Sequence, residues 1–477
     1  MLHLVIVHLA CTDPRGPVDD GILSVAELPT DLTCDQATVE LKCTELRIAP
    51  GHTVIEGDDA DAQAKAFCEQ YNATEGQMYI SGVDWEDMSR LSCLCDVGDV
   101  LAIVSSPNLK SLRGLESLEH ITTTLGLVNL PLVEDLGGLQ NACIGQDLYA
   151  TGLDSISDLR GLRPATDMPG YLYFNSNDFQ LSMLGLGGLR SVGGDIFVGE
   201  MDSLQDFAGL DGLESIGLRF EVRDSQWVED FRGLGSLRSI GQSSSEEAIG
   251  DDMLRLENLA RLSSFSGLDS LVVLPYLSVD NVGLTSLAGF ATGVSIGGVN
   301  LGRTGVTSLR GLENAGTVEK LALYDNWTLE SLDGFPSATT EMQWLILNGL
   351  TRLTDISALA NVETVAGDVG FVDLPALTSL HGLESLTTVE GTLALQYLDL
   401  IENLDELSAL RSTKILYLGE LPNATDMEGL RSLDEVTAYG HLVSAPLISD
   451  ESCEEISALN GWRGFDCMPT WEDYYTW

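Results

Sequence analysis

The chain has 477 residues, of which 73 are acidic and 24 basic, for a formal net charge of −49. Such an acidic excess excludes a surface built for nucleic acid or anionic lipid, which would be repelled over most of the molecule. Hydrophobic residues make up 44%, too many for a solvated acidic tail and enough for a large buried core.

In chain order, Leu2 to Ala10 form a short apolar run closed at Cys11, after which Thr12 to Gly16 turn polar. An apolar stretch ended by a small residue predicts an export signal. The Ala10-Cys11 pair also resembles the bacterial lipoprotein processing site, which implies that residues 1–11 are a signal and that Cys11 is lipidated. A lipid there would be the only membrane contact. The other reading is an apolar first strand with an ordinary cysteine, since no Lys or Arg precedes the run. No other segment approaches the roughly 18 consecutive apolar residues of a membrane-spanning helix.

Residues 12–75 read as linker and N-terminal cap, with a short helix near Asp61 to Tyr71. The chain has nine cysteines, and setting Cys11 aside leaves an even eight, as a disulfide framework requires. Proximity in sequence predicts Cys34 with Cys43, Cys68 with Cys93, and Cys453 with Cys467. No two of these have zinc-finger spacing and no histidine accompanies them, so no metal site is expected.

From Met88 a phrase Leu-x-Gly-Leu or a close variant recurs, as in Leu112–Leu115, Leu136–Leu139, Leu159–Leu162, Leu186–Leu189, Phe207–Leu210 and Phe231–Leu234, and continues to Ile456. A period of about 22–27 residues repeated about sixteen times is that of a solenoid whose rungs share one core. Before each phrase lies a short alternating stretch, such as Leu101-Ala102-Ile103 or Leu321-Ala322-Leu323. Alternation of period two means a strand whose outer members point inward and whose middle member points outward. Pro107, Pro131, Pro375 and Pro422 mark the following bend, where a missing amide hydrogen does no harm. In this register Cys95 and Cys143 share a column two rungs apart, about 10 Å, too far to bond to each other. The fold class expected is mainly β, a right-handed parallel β-helix or solenoid over residues 76–460. Residues 242–252 form a serine-rich, acidic insertion, residues 461–477 a tail, and cysteine-bearing caps close the two ends.

The phrase at Leu112–Leu115, with Ser106-Pro107-Asn108-Leu109 before it and Leu118 to Ile121 after it, resembles the receptor L-domain repeat of insulin-receptor and epidermal-growth-factor-receptor ectodomains. Bacterial exported proteins carry longer arrays of similar repeats. The stretch Val318 to Leu329 is also similar to the leucine-rich-repeat consensus, so a leucine-rich horseshoe is the alternative. The resemblance implies a non-enzymatic recognition or adhesion protein at a cell surface, in the envelope or outside the cell.

No constellation of residues points to catalysis. Gly293-Val294-Ser295-Ile296-Gly297 matches a nucleophile elbow in letters, but Ser191, Ser215 and Ser239 recur at the same turn, so Ser295 reads as one more copy. The six histidines form no metal spacing, no phosphate loop is present, and no cofactor is expected. Asp58 with Asp59, and Asp251 with Asp252, read as solvated loop charge rather than calcium ligands. The outward strand position is more informative, since along successive rungs it runs Ala102, Gly126, Tyr149, Tyr173, Phe197, Glu221, Arg255. Tyr149, Tyr173 and Phe197, with Tyr171 beside them, predict a surface ladder of aromatics. Such a ladder either stabilises stacked strands or binds a partner, which would be a protein or a glycan. Two other classes stay open: an architectural envelope rod without a specific ligand, and a polysaccharide-active β-helix enzyme.

Overall fold

The computed structural model describes residues 33–34, 43–177, 182–241, 253–459 and 465–468. These fall into two compact units, one within residues 1–251 and the other within 252–477.

In the first unit the outward-facing sheet is made of β1 (Thr53–Glu56), β2 (Met78–Ser81), β3 (Leu101–Val104), β4 (Thr124–Val128), β5 (Asp147–Thr151), β6 (Leu172–Asn175), β7 (Ile196–Gly199) and β8 (Phe220–Arg223). Each pairs in parallel with the next, which puts Val54, Tyr79, Ala102, Gly126, Tyr149, Tyr173, Phe197 and Glu221 in one column. The flanking residues of each strand point inward: Leu101 and Ile103, Leu125 and Leu127, Leu172 and Phe174 are at most 1% exposed. A second parallel ladder of two-residue strands runs through Ile48–Ala49, Ala73–Thr74, Asp96–Val97, His120–Ile121, Cys143–Ile144 and Arg163–Pro164.

In the second unit the corresponding strands are β9 (Leu254–Glu257), β10 (Val273–Asp280), β11 (Ser295–Gly302), β12 (Lys320–Tyr324), β13 (Trp344–Asn348), β14 (Val369–Val372), β15 (Thr388–Gln396), β16 (Ser412–Gly419), β17 (Glu435–Val443) and β18 (Phe465–Met468). They too pair in parallel and in sequence. The sixteen strands β2 to β17 answer to the about sixteen rungs expected, and each unit is a parallel β-solenoid.

The recurring phrase forms the corner opposite the sheet, and two local devices explain its composition. A Ser, Asp or Asn just before it accepts the amide two residues ahead. Asp135 Oδ1 takes the Gly137 N–H at 2.9 Å, Asp206 Oδ1 the Ala208 N–H at 3.0 Å, and Asp355 Oδ1 the Ser357 N–H at 2.8 Å. These short polar side chains satisfy donors that the bend leaves without a ladder partner. In most copies of the phrase the glycine lies at positive φ, +109° at Gly114 and Gly209, against the backbone of the winding before it, where a Cβ would collide; Gly138 and Gly429, in short 3-10 turns, make the same close approach without positive φ. In the fourth phrase this glycine is Gly185, so the phrase there begins at Met183, three residues earlier than the Leu186 read from sequence.

Helices are few. α1 (Ala60–Cys68) lies where a short helix was expected, and α2 (Asp450–Leu459) contains Ile456, so the last expected phrase is a helix rather than a rung corner.

The disulfides differ from the expected pairing. Cys34 bonds to Cys143 and Cys43 to Cys95, with Cα–Cα distances of 5.1 and 6.0 Å, so Cys34 and Cys43 do not pair with each other. The reason is where the N-terminal segment rests. Cys34 donates its N–H to Pro164 O at 3.2 Å and the Arg163 guanidinium donates to Thr33 O, whereas Cys43 donates its N–H to the Glu119 carboxylate. Each cysteine therefore meets a different winding. Cys95 and Cys143 are not bonded to each other, as expected, although Cys143 pairs with His120 and not with Glu119, one residue off the register read from sequence. Cys68 is a buried free thiol. Its Sγ is 2.7 Å from that of Cys93, which is itself disulfide-bonded, so the expected Cys68–Cys93 bond is not made. Cys453 is disulfide-bonded. Cys11, the side chain of Cys467 and the 242–252 insertion lie outside the described residues.

Candidate functional site

Three neighbouring strands of the first unit carry the site. Tyr149 on β5, Tyr173 on β6 and Phe197 on β7 are direct register partners, so parallel strands about 4.8 Å apart force their rings into one stack. The Tyr149 and Tyr173 centroids are 4.2 Å apart with planes 2° from parallel, and Tyr173 and Phe197 are 4.6 Å apart at 9°. Burial raises the Tyr149 phenol above the usual tyrosine range, and its hydrogen bond with the Tyr173 hydroxyl adds to the shift. At the far end Arg223 lays its guanidinium 4.9 Å from the Phe197 centroid, a cation–π cap on the stack. Three of the four residues singled out in the sequence thus form one ladder.

The fourth, Tyr171, lies two residues before Tyr173 and, by period two, on the same face. It is 46% exposed and donates its N–H to Asp147 Oδ1 at 2.9 Å. Asp147 is buried and also accepts from the Thr124 hydroxyl at 2.7 Å. Burial, then the Asp147 charge, hold the Tyr171 phenol above its usual range.

Between the Tyr171 row and the ladder runs a pocket of about 270 Å³, with Tyr171, Asp195 and Arg219 on one wall and Tyr173, Phe197 and Glu221 on the other. Arg219 stands between two carboxylates, with Nη2 3.6 Å from Asp195 Oδ2 and Nη1 3.6 Å from Glu221 Oε2. Its N–H donates to Asp195 Oδ1 at 3.0 Å. The pocket thus pairs an aromatic half with a polar half that presents both donors and acceptors. Asp195 and Arg219 were not singled out in the sequence. The signal that would have found them is the second outward column, two residues before the first, which runs Thr124, Asp147, Tyr171, Asp195, Arg219.

Elsewhere, Ser295 opens β11 and is exposed, and its N–H donates to Val272 O as an ordinary strand end. Asp58 and Asp59 lie in the turn before α1, and among the described residues no cluster of three His, Cys, Asp or Glu is placed to hold a metal.

No family model matches the chain, and no curated protein matches it. Among solved structures, it is similar to a leucine-rich repeat protein of Leptospira interrogans at 15% identity, covering 80% of this chain and 93% of that one with a TM-score of 0.35. It is also similar to the protein of a TLR13–ssRNA13 complex at 15% identity and a TM-score of 0.22, covering 83% of this chain and 62% of that one. By its own repeat and its own parallel windings, the chain is a leucine-rich β-solenoid.

Proposed function

We propose that the protein is a non-enzymatic recognition protein, exported to the cell envelope or beyond, that binds a protein or glycan on the sheet face of its first unit, in the manner of receptor L-domain repeats. The observation that carries this is the pocket flanked by the Tyr149–Tyr173–Phe197 ladder and by Tyr171, an aromatic concentration on an outward face of a chain that is otherwise heavily charged. Two disulfides support an oxidising compartment, and no helix among the described residues is long and apolar enough to cross a membrane. Lipidation at Cys11 would hold such a protein at a membrane surface.

The face-to-face stacking favours a second reading, in which the ladder only stabilises the strands and the molecule is an architectural element. Each aromatic pair adds about 0.5–1.5 kcal/mol beyond its area burial, so the rings contribute to stability in either case. Binding separates the two. A Tyr149→Ala, Tyr173→Ala, Phe197→Ala variant, screened beside the parent against a glycan array and a set of purified extracellular proteins, is expected to lose the parent's hits while keeping its β-sheet circular dichroism. Hits retained in full by the variant would place binding elsewhere and contradict the proposal.

A further inference from the structure

The disulfides Cys34–Cys143 and Cys43–Cys95 of the first unit stand in opposite electrostatic settings. In the second ladder Asp96, His120 and Cys143 are successive register partners, so parallel windings about 4.8 Å apart bring a carboxylate, an imidazole and a sulfur into one column. The residue after each of them, Val97, Ile121 and Ile144, is buried, which turns the column itself outward. His120 Nδ1 lies 3.4 Å from Asp96 Oδ2, so the carboxylate holds the ring from the winding before it, while Cys143 follows on the winding after. Cys143 is half-buried and can be reached from outside. Cys43–Cys95 has no such neighbour. Cys95 is buried, and the Glu119 carboxylate accepts the Cys43 N–H at 3.2 Å, a negative charge that opposes a second one on sulfur.

We propose that Cys34–Cys143 is a thiol–disulfide exchange site that captures the thiol of a partner on Cys34, an inference independent of the sheet-face reading. The partner's thiolate attacks Cys34 Sγ. A new S–S bond forms there as the Cys34–Cys143 bond breaks, and its electron pair leaves on Cys143 Sγ. One thiolate and one disulfide give one disulfide and one thiolate, so no oxidant or reductant is consumed. The direction follows from the two leaving groups, since exchange runs faster when the departing thiolate is better stabilised. Cys143 has His120 beside it to supply positive charge or a proton. Cys34 Sγ instead faces the carbonyl oxygens of Arg163 and Ile144 at 3.4 and 3.9 Å, which disfavour a thiolate and make it the sulfur that is attacked. Cys34 stays docked throughout. Its N–H donates to Pro164 O at 3.2 Å, and the Arg163 guanidinium donates to Thr33 O at 3.1 Å, so the captured partner is held against the wall of the solenoid.

The test incubates the oxidised full chain with reduced glutathione and, separately, with a cysteine-containing peptide, quenches by alkylation at successive times, and maps every cysteine by mass spectrometry. The probe is expected on Cys34 with Cys143 alkylated, appearing about tenfold or more faster than Cys43–Cys95 opens. His120→Gln should slow this capture about three- to tenfold, and His120→Arg, which keeps a cation beside the sulfur, should restore most of the rate, with Cys43–Cys95 unmoved in both. Capture of either probe supports the inference, and which of them reacts separates a small thiol from a peptide cysteine as the partner. No mixed disulfide at Cys34, a probe carried on Cys143, Cys43–Cys95 opening as fast, or a rate unmoved by His120→Gln overturns it. So does a change in that variant that both disulfides share, since it reports a loosened wall and not the leaving thiolate.

Discussion

Single side chains in this molecule do work that the repeat alone does not announce. Asn326 is fully buried, and its Oδ1 accepts from the Thr304 N–H at 2.9 Å and the Thr304 hydroxyl at 2.7 Å while its Nδ2 donates to Leu301 O at 2.7 Å. Replacing it by alanine strands a buried amide, and Asn326→Ala is expected to cost about 1–3 kcal/mol, measured as a lowered urea midpoint with unchanged slope. His381 is exposed, and its hydrogen bond to Glu384, helped by the charge of that carboxylate, holds the imidazole above the usual histidine range. A raised folded value means that the stabilisation is complete below the unfolded pKa and is lost as pH rises through the folded one. NMR titration should therefore find His381 titrating above a model histidine, and Glu384→Gln should bring it back down. An unchanged titration in that variant would show that the pair does not form. Burial pushes the Cys68 thiol up, so Cys68 should resist alkylation in the native protein and react once the chain is unfolded.

At the scale of the winding, the glycine of the phrase is a backbone requirement and not a spacer. Gly209 has φ +109° with the Met183–Leu184 backbone where its Cβ would be, whereas Gly235, just past the next phrase, has open space around it. Gly209→Ala should destabilise the first unit by more than about 1 kcal/mol, and Gly235→Ala should change stability by no more than about 0.5 kcal/mol. Equal effects in thermal melts would contradict the corner geometry. These windings were largely legible in the sequence because period-two alternation and a near-constant spacing act on every rung. They place Tyr149, Tyr173 and Phe197 in one column before any coordinates are known. The disulfides were not legible, because Cys34 and Cys43 follow the lie of a non-repeating segment against two different windings, which nearness in sequence does not encode. Arg219 was missed for another reason. Asp195 is its neighbour in a second outward column that was not read, and Glu221 lies in the first, so the pairing shows only when both columns are laid side by side.

For the molecule as a whole, the acidic surface and the apolar, aromatic-lined pocket are complementary facts. The charge keeps the outside hydrated and repels polyanions, and the ladder stacks three aromatic rings side by side, two of them along one wall of the pocket. Everything rests on parallel windings in register, and the ladder reports that register directly. A nuclear Overhauser spectrum of protein labelled in its tyrosine and phenylalanine rings should show Tyr173 in contact with both Tyr149 and Phe197, and no contact between Tyr149 and Phe197 themselves. Absence of the two Tyr173 contacts, or a direct Tyr149–Phe197 contact, would contradict the register and with it the site.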